Sequence, residues 1–193
     1  MILISDKYWE IRKTKNKGRG LFAKGDISKA TVIGDYVGKV MRPEDAIINE
    51  ENFYLMYYHD RAVILPDLRK TGVHVLNHSC NPNCWLYIYK GHTLAFAFKE
   101  ILKGAELTIP YLLPPLNNKF CDPCSHICHC GSLSCTKTMH LPKDKYKAWR
   151  GLTESQSKET KRERIKYGED LAILSNYPKK IPQSYIKEVE GIL

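Results

Sequence analysis

"LNHSCNPNC", residues 76–84, places two cysteines and three asparagines around one proline, between two stretches of strand character. Short amide side chains bond nearby backbone groups and proline fixes φ, so Asn81-Pro82-Asn83 reads as a tight turn, with Asn77 and His78 leading into it. By itself this is turn chemistry. A second stretch changes the reading of Cys80. "CHCGSLSC", residues 128–135, crowds three thiols around one point with C-x-C-x4-C spacing. Structural zinc held by cysteine wants four thiolates in a tetrahedron, so Cys128, Cys130 and Cys135 lack one ligand. Two sources compete for that place. Cys121 and Cys124 form a local C-x2-C, which would close the site within residues 121–135. Cys80 or Cys84 would close it from a distance and pin a C-terminal segment onto the body of the domain.

Composition agrees with metal-bound thiols. Seven cysteines, an odd number and mostly clustered, in a chain with no apparent export signal argue for reduced thiols rather than disulfides. The start, "MILISDKYWE", carries an apolar patch too short for a signal-peptide core, and no apolar run approaches the ~18 residues of a membrane span. A soluble, initially intracellular protein with no membrane partner is expected. With 193 residues and 43% hydrophobic content, the chain is sufficient for one medium domain with an appendage. The net charge of +9 favours acidic partners such as nucleic acid or nucleosomes and says nothing about fold.

Working outward from residues 76–84, β-branched and aromatic runs separated by turn residues predict short strands over 31–40, 52–58, 62–65, 85–89 and 93–98. "RPEDAIINEE" (42–51) predicts a short helix, with proline near its start and acidic residues in the first turn. "LTESQSKETKRERIKYGEDLAILS" (152–175) is charge-laced with a terminal apolar run and reads as a helix; "YPKKIPQSY" breaks it before a last short helix.

Taken in order, "KGRGLFA" (17–23), "NHSCNPN" (77–83), "GAELTIPY" (104–111) and "CHCGSLSC" resemble the SET-domain protein lysine methyltransferases that carry a post-SET zinc segment. Each signature alone is weak or moderate, whereas four in the family's order make chance similarity improbable. The resemblance implies a mainly β SET fold, several small sheets around a pseudo-knotted C-terminal segment, with a post-SET zinc site and an α-helical C-terminal appendage. It divides the chain into a SET domain over 1–113, a post-SET segment over 114–140 and a basic helical extension over 141–193. It implies S-adenosylmethionine as methyl donor and a structural zinc whose fourth ligand, beside Cys128, Cys130 and Cys135, is Cys80; Cys84, Cys121 and Cys124 are left without a family role.

Residue by residue, the resemblance makes Lys17, Gly18, Arg19 and Gly20 the cradle of the cofactor's methionine part, although a G-x-G in isolation is simply a turn. Asn77 and the backbone at His78 would hold its amino-acid and adenine parts. Tyr111 matches the catalytic tyrosine and also borders the cofactor. Tyr54 matches, with Tyr57 and Tyr58 as rivals, the tyrosine lining the lysine channel. Such a channel suits the chemistry: lysine ordinarily titrates near pH 10.4, and an apolar tunnel beside a sulfonium disfavours its charged form.

Two departures stand out: the turn before the cofactor motif, "DLRKTGVHVLN" (67–77), is shorter than in chromatin-associated members of the family, and the residues before Tyr111 differ. Ile109-Pro110 precedes Tyr111 where the family has an aromatic residue followed by a small or polar one. Proline sets the local backbone differently, and Ile109, lacking a hydroxyl to retain a water, points toward di- or trimethylation. The implied substrate is a lysine-containing protein tail, histone first, in the nucleus or on chromatin of its own or a host cell. Lys161, Arg162, Arg164 and Lys166 are candidates for a nucleosomal DNA contact. Two other readings stay open: a zinc-stapled nucleic-acid-binding module, and an inactive SET-like scaffold.

Overall fold

The structure, a computed structural model, describes residues 1–46, 54–59, 62–116, 126–159 and 166–192. Its elements run β1 (Trp9–Lys13), β2 (Arg19–Ala23), β3 (Val32–Asp35), β4 (Lys39–Met41), β5 (Met56–His59), β6 (Ala62–Leu65), β7 (Asn77–His78), β8 (Cys84–Tyr89), β9 (His92–Ala97), β10 (Glu106–Ile109), α1 (Lys143–Glu159) and α2 (Gln183–Glu190). The strands form three small sheets, ordered β1-β2-β10-β7, β3-β9-β8 and β4-β6-β5. The mainly β architecture with C-terminal helices is therefore as expected.

β8 and β9 form a hairpin in register from Cys84↔Ala97 to Tyr89↔His92. Lys90 and Gly91 close it with φ of 46° and 79°, the two-residue turn whose twist matches that of paired strands. β9 is buried along its whole length, and its alternation assigns one core to each face. Ala95 and Ala97 join Leu21, Ile33, Ile64, Leu76 and Leu107 in one cluster. Leu94, Phe96 and the following Phe98 join Trp85 in the other.

The expected strand over 31–40 is two strands, split because Gly38 lets the backbone run against the Leu65 carbonyl and Pro66, where a Cβ would collide. β4 then pairs antiparallel with β6, Lys39↔Leu65 to Met41↔Val63. Of the helix expected over 42–51, the described part, through residue 46, is a turn held by Ala46 N–H on the Arg42 carbonyl at 3.2 Å; the rest lies outside the described residues.

The helix expected over 152–175 is corrected in position. α1 begins earlier, at Lys143, and residues 166–174 are not helical. Gly168 takes φ of 84°, turning the chain onto the free edge of β4. There Gly168 N–H reaches the Val40 carbonyl at 2.8 Å, Val40 N–H the Glu169 carbonyl at 2.9 Å and Leu171 N–H the Gly38 carbonyl at 2.8 Å. An unpaired strand edge is a stronger attractor for this backbone than local helix propensity. The chain continues along β3, with Val32 N–H on the Lys179 carbonyl at 3.0 Å, and enters α2, whose Tyr185, Ile186 and Val189 pack on Trp85 and Phe96.

Candidate functional site

The centre of the first sheet gathers the residues singled out from the sequence. β10 lies antiparallel to β2 and parallel to β7, pairing Thr108↔Asn77 and Ile109↔His78. The turn before β2 is built by Gly18 at φ 69°, which lets Thr14 N–H bond the Gly18 carbonyl at 2.7 Å. Asn77 Nδ2 then donates to the Arg19 carbonyl at 3.0 Å and to Glu106 Oε1 at 2.9 Å, while Lys17 Nζ donates to Glu106 Oε2 at 2.6 Å. Gly20 has no side chain for a local reason: a Cβ there would lie 2.8 Å from Glu106 Oε1 and 2.9 Å from Asn77 Nδ2.

His78 links this hydrogen-bonded cluster to the cysteines. Its Nδ1 accepts the Tyr111 N–H at 3.1 Å, so the neutral ring carries its proton on Nε2, 3.5 Å from Cys80 Sγ. Burial first, and the Lys17 charge second, lower its pKa to about 4, which keeps the imidazole neutral. Pro110 does not prevent the Tyr111 backbone from making this bond.

Tyr111 packs edge-on to His78, ring centroids 5.3 Å apart, and its hydroxyl donates to the Leu76 carbonyl at 3.5 Å. Burial, then the neighbouring Tyr54, push its pKa up to about 12, although a ring 37% exposed leaves solvent to screen part of that shift. Tyr54 meets His74 edge-on at 5.8 Å, and its carbonyl accepts the hydroxyl of Tyr36. Tyr36 is buried and its phenol is pushed upward, by burial first and then by Tyr111 and Tyr54. Three tyrosines thus share one region. Tyr57 and Tyr58 belong to β5, and their side chains lie outside the described residues.

Cys80, Cys128, Cys130 and Cys135 come together, with all four sulfurs within 4.8 Å of one another. Zn–S bonds of about 2.3 Å put tetrahedral sulfurs ~3.8 Å apart, and Cys80 and Cys128 are separated by 3.6 Å. The donor set therefore fits a structural zinc. Cys130 Sγ accepts the Cys80 N–H at 3.5 Å; burial opposes its ionisation, but this N–H, that of Ser132 and the thiols of Cys128 and Cys135 together bring it down to about 6. Cys84 stands apart, fully buried, its thiol held well above the usual range by burial. Cys121 and Cys124 lie outside the described residues, as do Lys161, Arg162 and Arg164; Lys166 pairs with Glu169 at 3.6 Å. Between the asparagine turn and the cysteine loop opens a cavity of about 490 Å³, lined by Ser79, Asn81 and residues 130–134.

Sequence reading missed Tyr36, Glu106 and His74. Glu106 lay inside a quoted signature, and Tyr36 sits in "GDYVG" directly after a strand, yet only the sheet arrangement brings either to Asn77 or Tyr54.

Residues 18–112 match the SET domain. The chain is 30% identical over 141 residues to the histone-lysine N-methyltransferase trr of Drosophila melanogaster, covering 67% of this chain and 6% of that protein. It is 30% identical over 139 residues to the histone-lysine N-methyltransferase NSD3 of Mus musculus, covering 66% of this chain and 9% of the relative. The chain thus spans under a tenth of the length of these relatives. Among solved structures, the crystal structure of KRYPTONITE in complex with mCHG DNA and SAH superposes with a TM-score of 0.55 at 24% identity, over 68% of this chain and 28% of that one.

Proposed function

Since residues 18–112 of this chain are a SET domain, we propose that it is an S-adenosylmethionine-dependent methyltransferase acting on the side-chain amine of protein lysine, histone lysine first. The observation that carries the reading is the clustering of two hydrogen-bonded pairs, Arg19 with Asn77 and Tyr111 with His78, next to the four-cysteine cluster. The relatives named histone-lysine methyltransferases point to the same chemistry.

The cofactor supplies a methyl group on a sulfonium, ready for in-line displacement by a neutral amine. Lys17, Gly18, Arg19 and Gly20 with Asn77 and His78 are the residues assigned to hold it. The fit is chemical: a neutral imidazole at His78 and the carboxamide of Asn77 stand side by side on β7, next to the backbone of Arg19 and Tyr111. Tyr111 orients the incoming lysine amine, with Tyr54 lining the channel and Tyr36 supporting Tyr54 through its carbonyl. Tyr36 and Tyr111, phenols kept neutral by burial, place no anion beside the amine to favour its ammonium form, and alignment supplies much of the rate. Buried Ile109 brings no hydroxyl, which favours transfer of more than one methyl. Cys80, Cys128, Cys130 and Cys135 are the proposed zinc ligands, holding the cysteine loop against His78. Nucleosomal DNA is the proposed contact of Arg162, Arg164 and Lys166, and nucleus or chromatin the proposed place of action.

The test is incubation with labelled S-adenosylmethionine and a panel of core histones, nucleosomes and non-histone proteins, followed by mass-spectrometric mapping. Label on a lysine side chain is expected. Failure to bind S-adenosylhomocysteine would leave a zinc-stapled nucleic-acid module, whereas binding without turnover would leave an inactive scaffold.

A further inference from the structure

Glu106 is a carboxylate placed where burial is costly: its side chain is 19% exposed and that of its partner Lys17 is 20% exposed. One ion pair would meet the cost, yet the second oxygen reaches across the sheet to Asn77 at 2.9 Å, and β2 gives up a side chain at Gly20 to make room. The consequence falls on Asn77. A carboxamide has two N–H donors and one carbonyl acceptor. Both donations from Nδ2 are taken, by Glu106 Oε1 and the Arg19 carbonyl. Oδ1 has no protein partner among the described residues, so all that Asn77 can offer a ligand is an acceptor.

We propose that Glu106 is a positioning residue that locks the Asn77 amide with its oxygen toward the cofactor site, so that Asn77 reads the α-ammonium of the cofactor's amino-acid part rather than its carboxylate. This rests on the cofactor reading above. Without the carboxylate, the Arg19 carbonyl alone holds the amide in this sense, and turning it over, to present N–H donors that fit the opposite end of the amino acid, costs one hydrogen bond instead of two. Lys17 holds Glu106 from the far side and neutralises it.

The test compares S-adenosylhomocysteine with its deaminated analogue, 5′-(3-carboxypropyl)thioadenosine, by displacement titration of the zinc-loaded chain. The parent should prefer S-adenosylhomocysteine by about tenfold or more, the scale of a hydrogen bond to a charged group. Glu106→Gln, which must present a donor to either Lys17 or Asn77, should lose most of that preference while the analogue binds within about twofold of the parent. Should Glu106→Gln lose zinc or melt, Glu106→Asp, which keeps the charge on an arm too short for Asn77, should give the same loss of preference. A variant that keeps the preference, or weakens both ligands equally, would make Glu106 a structural ion-pair partner and overturn the proposal with the methyltransferase reading intact. A parent that does not discriminate overturns it too. A parent that binds neither ligand sinks the cofactor reading itself.

Discussion

Tyr111 is the side chain on which the proposed chemistry turns. Its hydroxyl is anchored to the Leu76 carbonyl and its backbone to His78, so Tyr111→Phe removes one oxygen and leaves the ring and both neighbours in place. A group that acts on the transition state more than on the ground state should show in turnover. We expect a fall of about a hundredfold with S-adenosylhomocysteine affinity and zinc content unchanged. Unchanged turnover would pass the role to Tyr54. His74 makes a second prediction. It is buried, its Nε2 is unpartnered among the described residues, and burial first, then the α-amino group and Arg19, lower its pKa from 6.5 to about 4. The unfolded chain takes up this proton near pH 6.5 and the folded chain only near 4. Stability present above pH 6.5 is therefore lost as pH falls through that window, by on the order of 3 kcal/mol. Melting curves at pH 7 and 4.5 should show the loss, and His74→Gln should flatten it.

The cysteine loop, residues 128–135, has no strand or helix to hold it, so its shape depends on what its sulfurs bind. One zinc per chain is expected. Such a site contributes on the order of 10 kcal/mol in small peptides, so a chelator should raise hydrogen exchange across residues 126–141 well before the sheets respond. Cys130→Ser should lower both bound zinc and activity. Full zinc after Cys80→Ala, with loss after Cys121→Ala, would move the site to the local C-x2-C. The coupling to function runs through His78, whose ring sits between Cys80 and Tyr111.

At the scale of the whole molecule, the chain after α1 completes the fold. It covers the β4 edge and closes the second core with Ile181, Tyr185, Ile186 and Val189, while Tyr177 donates to the buried Asp35, which also holds His92 at 2.7 Å. Removing residues 166–193 would expose the large faces of Trp85 and Phe96. Each buried aliphatic or aromatic side chain is worth ~1.5–3 kcal/mol, so a loss of several kcal/mol is expected, seen as a melting point lower by roughly 10 °C or more and as aggregation in light scattering. A truncated chain that melts like the parent would return this segment to an independent extension.

What the sequence determined by itself was everything carried by short-range pattern. β-branched and aromatic residues in "TLAFAF" and "WLYIY" marked two strands, and C-x-C-x4-C announced a three-thiol corner. The four signatures in order, by resemblance, named the family and nominated Cys80. Only the tertiary structure decided what depends on partners far away in sequence. Leu171 to Leu174 has helical composition, yet the exposed edge of β4 draws the backbone into pairing just before it and along its start. Glu106 is an ordinary strand residue until β10 slides between β2 and β7, and only there do its two oxygens meet Lys17 and Asn77. Local propensity is summed over a few neighbours. Hydrogen-bond valence and edge pairing are settled by whichever group the fold delivers.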